Sequence, residues 1–300
     1  MTSPGPFYRE ESYVTLRQRW LAKYLLVEDK QLSAIKGILF DAAQDAFKQI
    51  SALEGKDGIG AQTRISQLGS FMRIVRSIDK SIFGQIGPVL LSGQQDSAEA
   101  AVDALGDHER NVTRRLFGSV GAAEDWIDSQ RNSAALGVAH AIEQYLGASE
   151  PLSRRVYRSQ SLANGYVERL IRSSLARGQS AKDIAQSVRS QILPSTPGGV
   201  SYAAMRLGRT ELNNAFHATT ISLMQDRPWI DQAQWNLSKR HDQLTGCKCE
   251  EYARQKYFPV GQVPRKPHPQ CRCFTTPVLI DWDTFERNLQ IGMYDGYVMA

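Results

Sequence analysis

Along the first 225 residues, apolar side chains return again and again at intervals of three and four positions, with polar residues between them. A 3.6-residue period lays one apolar stripe along a helix and cannot serve a strand, whose faces alternate at every residue. Leu32, Ile35, Ile38, Leu39, Ala42, Ala46 and Ile50 follow it up to the loop Gly55-Lys-Asp-Gly-Ile-Gly60. Leu68, Phe71, Met72 and Val75 predict a second helix over 65–78, and the Gly, Pro and Ser residues of 84–88 and 92–97 read as breaks. Ile127, Ala134, Val138, Ile142 and Tyr145 mark another helix over 122–145. The pattern is denser over 153–193. There Ala163, Tyr166, Val167, Leu170, Ile171 and Leu175 form one stripe closed by Gly178, and Ser180 and Asp183 open the next helix as cap and dipole partner. A long helix over 201–225 ends ahead of Pro228.

Beyond Pro228 the period changes. Trp235, Leu237 and Lys239 alternate with Asn236 and Ser238 as in a short strand, and 274–280 is rich in β-branched residues. Pro259, Pro264, Pro267 and Pro269 keep the stretch between them extended. The expected fold class is α+β, mostly helical: a helical N-terminal region over 1–150, a small α+β C-terminal module over 151–280 with a Cys/His-rich hairpin, and a short acidic tail over 281–300. At 300 residues, 42% apolar and 22% charged, the chain has the composition of a soluble globular protein with core enough for two structural units. No run approaches 18 apolar residues and the first residues lack a signal-peptide core, so no membrane span and cytoplasmic synthesis are expected.

The net charge of +5 is unevenly distributed. Residues 1–150 carry 16 basic and 19 acidic side chains, 151–273 carry 19 and 8, and 274–300 carry 1 and 4. A net +11 confined to the middle is the pattern of a segment that meets nucleic acid or an acidic partner surface, the alternative being a basic surface with no ligand.

All four cysteines, Cys247, Cys249, Cys271 and Cys273, fall within 27 residues, with His268 three positions before Cys271. Tetrahedral Zn²⁺ takes four thiolate or imidazole ligands, and two short ligand pairs on a hairpin supply them without a large core. Five candidates compete for four places. Cross-hairpin disulfides would staple the same loop, and reduced thiols packed as small hydrophobes are the third reading. On the helix before the Cys/His-rich hairpin, Arg209 shares the apolar side of Met205, Leu212 and Phe216, whereas Glu211 lies on a small-residue side with Ala204, Gly208, Ala215 and Ala218. Both are assigned to structural ion pairs with other elements, Glu211 with the downstream basic segment, rather than with each other. A solvated surface position and a catalytic carboxylate are the competing readings of Glu211.

Taken in order, Arg209-Thr210-Glu211, a Trp-containing strand, Asp242, Cys247-x-Cys249, Tyr257-Phe258-Pro259 and His268-Pro269-x-Cys271-Arg272-Cys273 resemble the phage Mu protein F-like family of minor head, or head morphogenesis, proteins of tailed bacteriophages. The resemblance covers about 155–280, and Cys-x-Cys at 247 and 249 departs from the family's Cys-x-x-Cys. It implies a non-enzymatic minor capsid component that associates with the portal protein and with capsid or scaffold proteins. Such a protein is assembled in the host cytoplasm, resides inside the head of the virion, and acts in assembly and in DNA packaging or ejection. The N-terminal region looks like a portal-binding extension. A DNA-filled head gives the basic excess a partner: Arg240, Lys248, Arg254, Lys256, Lys266 and Arg272 in the module, with further arginines on the preceding helices, are expected to contact DNA phosphates without base readout. The alternative is a metal-dependent nuclease or hydrolase using His241, Asp242 and His268 around Zn²⁺, with Glu250 or Glu251 as base.

Overall fold

The computed structural model describes residues 10–53, 61–147, 150–193, 199–238 and 247–298. The helical periods become α1 (Glu10–Ser51), α2 (Ala61–Phe117), α3 (Val120–Leu146), α4 (Leu152–Ala176), α5 (Ala181–Ile192) and α6 (Gly199–Gln225). They are followed by β1 (Ile230–Asn236), α7 (Lys248–Gln255), β2 (Tyr257–Pro259), β3 (Phe274–Leu279), α8 (Trp282–Gln290) and α9 (Asp295–Val298). The protein is thus mostly helical with a small antiparallel sheet, an α+β chain. The loop at 55–60 lies outside the described residues. Among the described residues, no helix is long and apolar enough to cross a membrane.

Helix α2 runs straight through the expected breaks at 84–88 and 92–97. Pro88 within a helix costs about 3 kcal/mol. Around it, however, Ile82, Phe83, Ile86 and Leu90 are buried, and each such side chain contributes roughly 1.5–3 kcal/mol. Gly84 and Pro88 sit on the exposed side, and the Ser97 hydroxyl turns back to donate to the Gly93 carbonyl at 2.7 Å. Burial on one face therefore outweighs the break signals on the other.

The chain divides into two compact units, each discontinuous: Met1–Glu28, Gly93–Ser149 and Thr210–Ala300 form the first, and Asp29–Ser92 with Glu150–Arg209 the second. Three of the boundaries fall inside α1, α2 and α6, unlike the contiguous stretches drawn from composition and motifs.

In the second unit Ile35 and Leu39 of α1, Ile82 and Ile86 of α2, Val167 and Ile171 of α4, Ile184 and Val188 of α5, and Ala204 of α6 share one core. Gly208 of α6 allows close approach, since a Cβ there would come within 2.8 Å of Ile35 Cδ1. Ser180 and Asp183 form the capping box that starts α5, as the spacing predicts. Asp79 is the misfit of this core. It is 1% exposed, neither carboxylate oxygen has a hydrogen-bond partner among the described residues, and burial pushes its pKa up to about 7. A carboxyl whose folded pKa lies above its unfolded value of about 3.9 leaves stability intact below pH 4 and erodes it as pH rises through 7. Asp79→Asn is therefore expected to raise stability at pH 8 by about 2–4 kcal/mol and to change it little at pH 4, measured by urea denaturation followed by circular dichroism.

In the first unit Trp20, Leu105, Phe216, Trp229, Phe285 and Tyr294 are buried together. Its sheet has the order β2-β1-β3, with Ala233 opposite Phe258 on one side and Asn236 opposite Phe274 on the other. Two local differences from the sequence reading bear on the site. Part of the stretch between the strands is helical, α7, and the segment expected as an acidic tail packs as α8 and α9, with Phe285 and Tyr294 fully buried.

Candidate metal centre

Strand β1 pairs with β2, which follows α7, and with β3, which follows Cys273, so the middle strand brings the head of α7 and the foot of β3 together. Cys247 occupies the N-cap of α7, where its Sγ accepts the Cys249 N–H at 3.4 Å. Cys249, Cys271 and Cys273 are buried against Trp235 and Phe258, and Tyr252 meets Trp235 edge-on with ring centres 5.1 Å apart. Among the described residues, positive φ outside glycine occurs at Lys256 and Gln270, which follow α7 and precede Cys271. Such backbone carries a cost that the surrounding fold must hold in place. Part of that hold is Thr210, whose Oγ1 accepts the Gln270 N–H at 3.3 Å.

Two ligand triads share Cys249: one with Cys247 and His268, the other with Cys271 and Cys273, the donor atoms of each lying within 4.8 Å of one another. The Cys249 sulfur is 3.5 Å from Cys271 Sγ and 3.5 Å from His268 Nε2. All four cysteines are free thiols. At that distance the sulfurs are too far apart for a disulfide, which needs about 2.05 Å. They stand close to the roughly 3.8 Å edge of a zinc tetrahedron built with Zn–S of about 2.3 Å. The His268 ring is oriented for ligation. Its Nδ1 donates to the Pro269 carbonyl at 2.9 Å, which leaves the Nε2 lone pair aimed at the thiol cluster.

The thiols divide their protons unequally. Hydrogen bonds from Cys249 and Cys273, helped by the Lys266 ammonium, hold the Cys271 thiol well below its ordinary pKa, while the bond to Cys271 pushes Cys249 up. A divalent cation bound by these sulfurs would displace the protons that they carry. The residues fit a metal ion: Cys249, Cys271, Cys273 and His268 could hold one, with Cys247 as the fifth candidate.

The expected phosphate contacts separate in the structure. Lys248, Arg254 and Lys256 are exposed on and just after α7, beside Glu250 and Glu251. Lys266 instead turns inward, its ammonium donating to the Cys273 carbonyl and lying 5.5 Å from the Trp235 ring centre. The Arg272 guanidinium pairs with the buried Glu28 carboxylate, which also accepts from the Tyr24 hydroxyl at 2.7 Å. These two cations are occupied in the fold because buried carbonyl and carboxylate oxygens need partners. Arg240, His241 and Asp242 lie outside the described residues. Glu211 is buried, and its carboxylate accepts from Gln94 Nε2 at 2.9 Å; Arg209 is half-buried. Sequence reasoning missed Lys266 as a neighbour of the thiols, Tyr145, whose hydroxyl accepts the Lys266 N–H, and Glu28. Glu28 lies 244 positions from Arg272, and no local pattern signals that pairing.

Comparison with protein-family models, with curated proteins and with solved structures yields no match.

Proposed function

We propose that this chain is a minor head protein of a tailed bacteriophage, associated with the portal inside the head, and that its role is structural rather than catalytic. The observation that carries this reading is the ordered set of motifs from Arg209-Thr210-Glu211 to His268-Pro269-x-Cys271-Arg272-Cys273, which resembles the Mu F-like pattern. The bond between Thr210 and the turn before Cys271 supports it, because it gives two distant motifs a common structural purpose. In this reading the ion is Zn²⁺, held by Cys249, Cys271, Cys273 and His268. It acts as a cross-link between α7 and the foot of β3. The basic middle of the chain contacts DNA phosphates, and assembly proceeds beside capsid or scaffold proteins.

Co-expression with the portal protein of the same genome tests the central claim. The chain is expected to co-purify with the portal ring through size exclusion, and mass spectrometry of mature virions should find it inside nuclease-treated heads. A portal ring that purifies without it, together with virions that lack it, would overturn the proposal.

A further inference from the structure

Residues 151–193 hold 8 basic and 2 acidic side chains. Both carboxylates are engaged within the second unit. Glu168 accepts from Arg76 at 2.8 Å, and Asp183 closes the capping box of α5. Helix α4 buries Ala163, Val167, Ile171 and Ser174. On the opposite side, Arg154, Arg158, Arg169 and Arg172 are all exposed. At 100° and 1.5 Å per residue, these four fall within about 60° of one another and span about 27 Å along the helix. Gly165 sits in the middle of the row, where a Cβ would meet nothing nearer than the Arg169 guanidinium at 3.7 Å. The row is therefore two arginine pairs on one face, with Gly165 adding no side chain in the gap between them.

We propose that this face of α4 is the surface through which the chain holds duplex DNA, the four guanidiniums contacting phosphates. The proposal rests on the DNA-contact part of the function above and moves that contact from the stretch around α7 and the cysteines to α4. The chemistry favours a phosphate backbone over an acidic protein. Guanidinium forks match phosphate oxygens two at a time, and two pairs of them about 16 Å apart on one helix face can reach separate phosphates of a duplex, which carries one charge per about 1.7 Å of axis. Exposed Tyr157 and Leu162 flank the row and offer apolar contact to sugars. Arg158, paired with Glu150, would exchange one anion for another.

The test is fluorescence anisotropy of the full chain with a 30-base-pair duplex across a potassium chloride series. Four phosphate contacts give a slope of log affinity against log salt of about −3 to −4. R154Q/R158Q/R169Q/R172Q is expected to weaken binding at least ~30-fold at low salt and to flatten the slope by about 3. K248Q/R254Q/K256Q, on and beside α7, should stay within about 2-fold of the parent, since its cations stand among carboxylates. All seven positions are exposed, and unchanged circular dichroism confirms the fold of each variant. If the α4 variant binds like the parent while the α7 variant fails, the assignment to α4 falls and the DNA contact stands. If the parent shows no binding at low salt, both fall. If polyglutamate displaces the duplex at equal charge concentration, the row serves an acidic protein and the proposal is overturned.

Discussion

Cys271→Ser is expected to abolish metal binding and to collapse the sheet end of the first unit. The Cys271 sulfur lies 3.5 Å from Cys249 and carries the lowered pKa of the cluster, so serine removes the ligand that is most readily a thiolate. Structural zinc sites of this kind contribute on the order of 10 kcal/mol of apparent binding free energy, which is also folding free energy, more than the whole stability of many domains. The parent should contain one zinc per chain by elemental analysis and the variant none. All five tryptophans lie in the first unit, and Trp235 touches the cluster, so tryptophan fluorescence should show early melting of the variant. A chelator should do the same to the parent. Because the ligands must shed protons to bind, metal should be held at pH 8 and released as pH falls toward 5. Cys247→Ser should keep the metal, since serine serves well as an N-cap and the other four donors remain. Retention of stoichiometric zinc by Cys271→Ser with unchanged melting would refute the cross-link.

Glu109→Ala is expected to destabilise the first unit by about 3–5 kcal/mol. Glu109 and Arg227 are almost completely buried, with Nε 3.4 Å from the carboxylate, and Trp229 Nε1 donates to the same carboxylate at 2.8 Å. Arg227 also lies over the Trp126 ring, 4.4 Å from its centre. Burial pushes the Glu109 carboxyl above its ordinary pKa, and Arg227 and the Trp229 indole offset only part of that rise. Truncation leaves a guanidinium in the core with no carboxylate opposite it, and an indole N–H without an acceptor. The cost comes from those orphans rather than from the strength of the pair itself. Two comparisons separate these causes. Glu109→Gln keeps an acceptor and should lose less, and Glu109→Leu with Arg227→Met removes both charges and should recover most of the stability. Equal losses in Glu109→Ala and the double variant, measured by urea denaturation with tryptophan fluorescence, would show that packing rather than charge holds this centre.

Much of the local structure was legible because it depends on neighbours in the chain. The stripe Ala163, Val167, Ile171 and the Ser180–Asp183 box specify α4 and α5 through i, i+3 and i+4 relations that any reader of the sequence can count. The gathering of Cys249, Cys271, Cys273 and His268 was legible from residue type and spacing. What was missed has a common cause. The passage of α2 through Pro88, the packing of α8 and α9, and the inward turn of Lys266 and Arg272 depend on partners far away in the chain.

Helix periods, a switch to strands after Pro228 and a thiol-rich hairpin were settled by residue order, since short-range sterics and solvation act along the chain. How the chain divides into compact units, which cations reach solvent and which serve buried oxygens, and which donors converge on Cys249 were settled by folding. Those outcomes follow from desolvation, and desolvation depends on every element that packs around a group, not on the residues beside it in the chain.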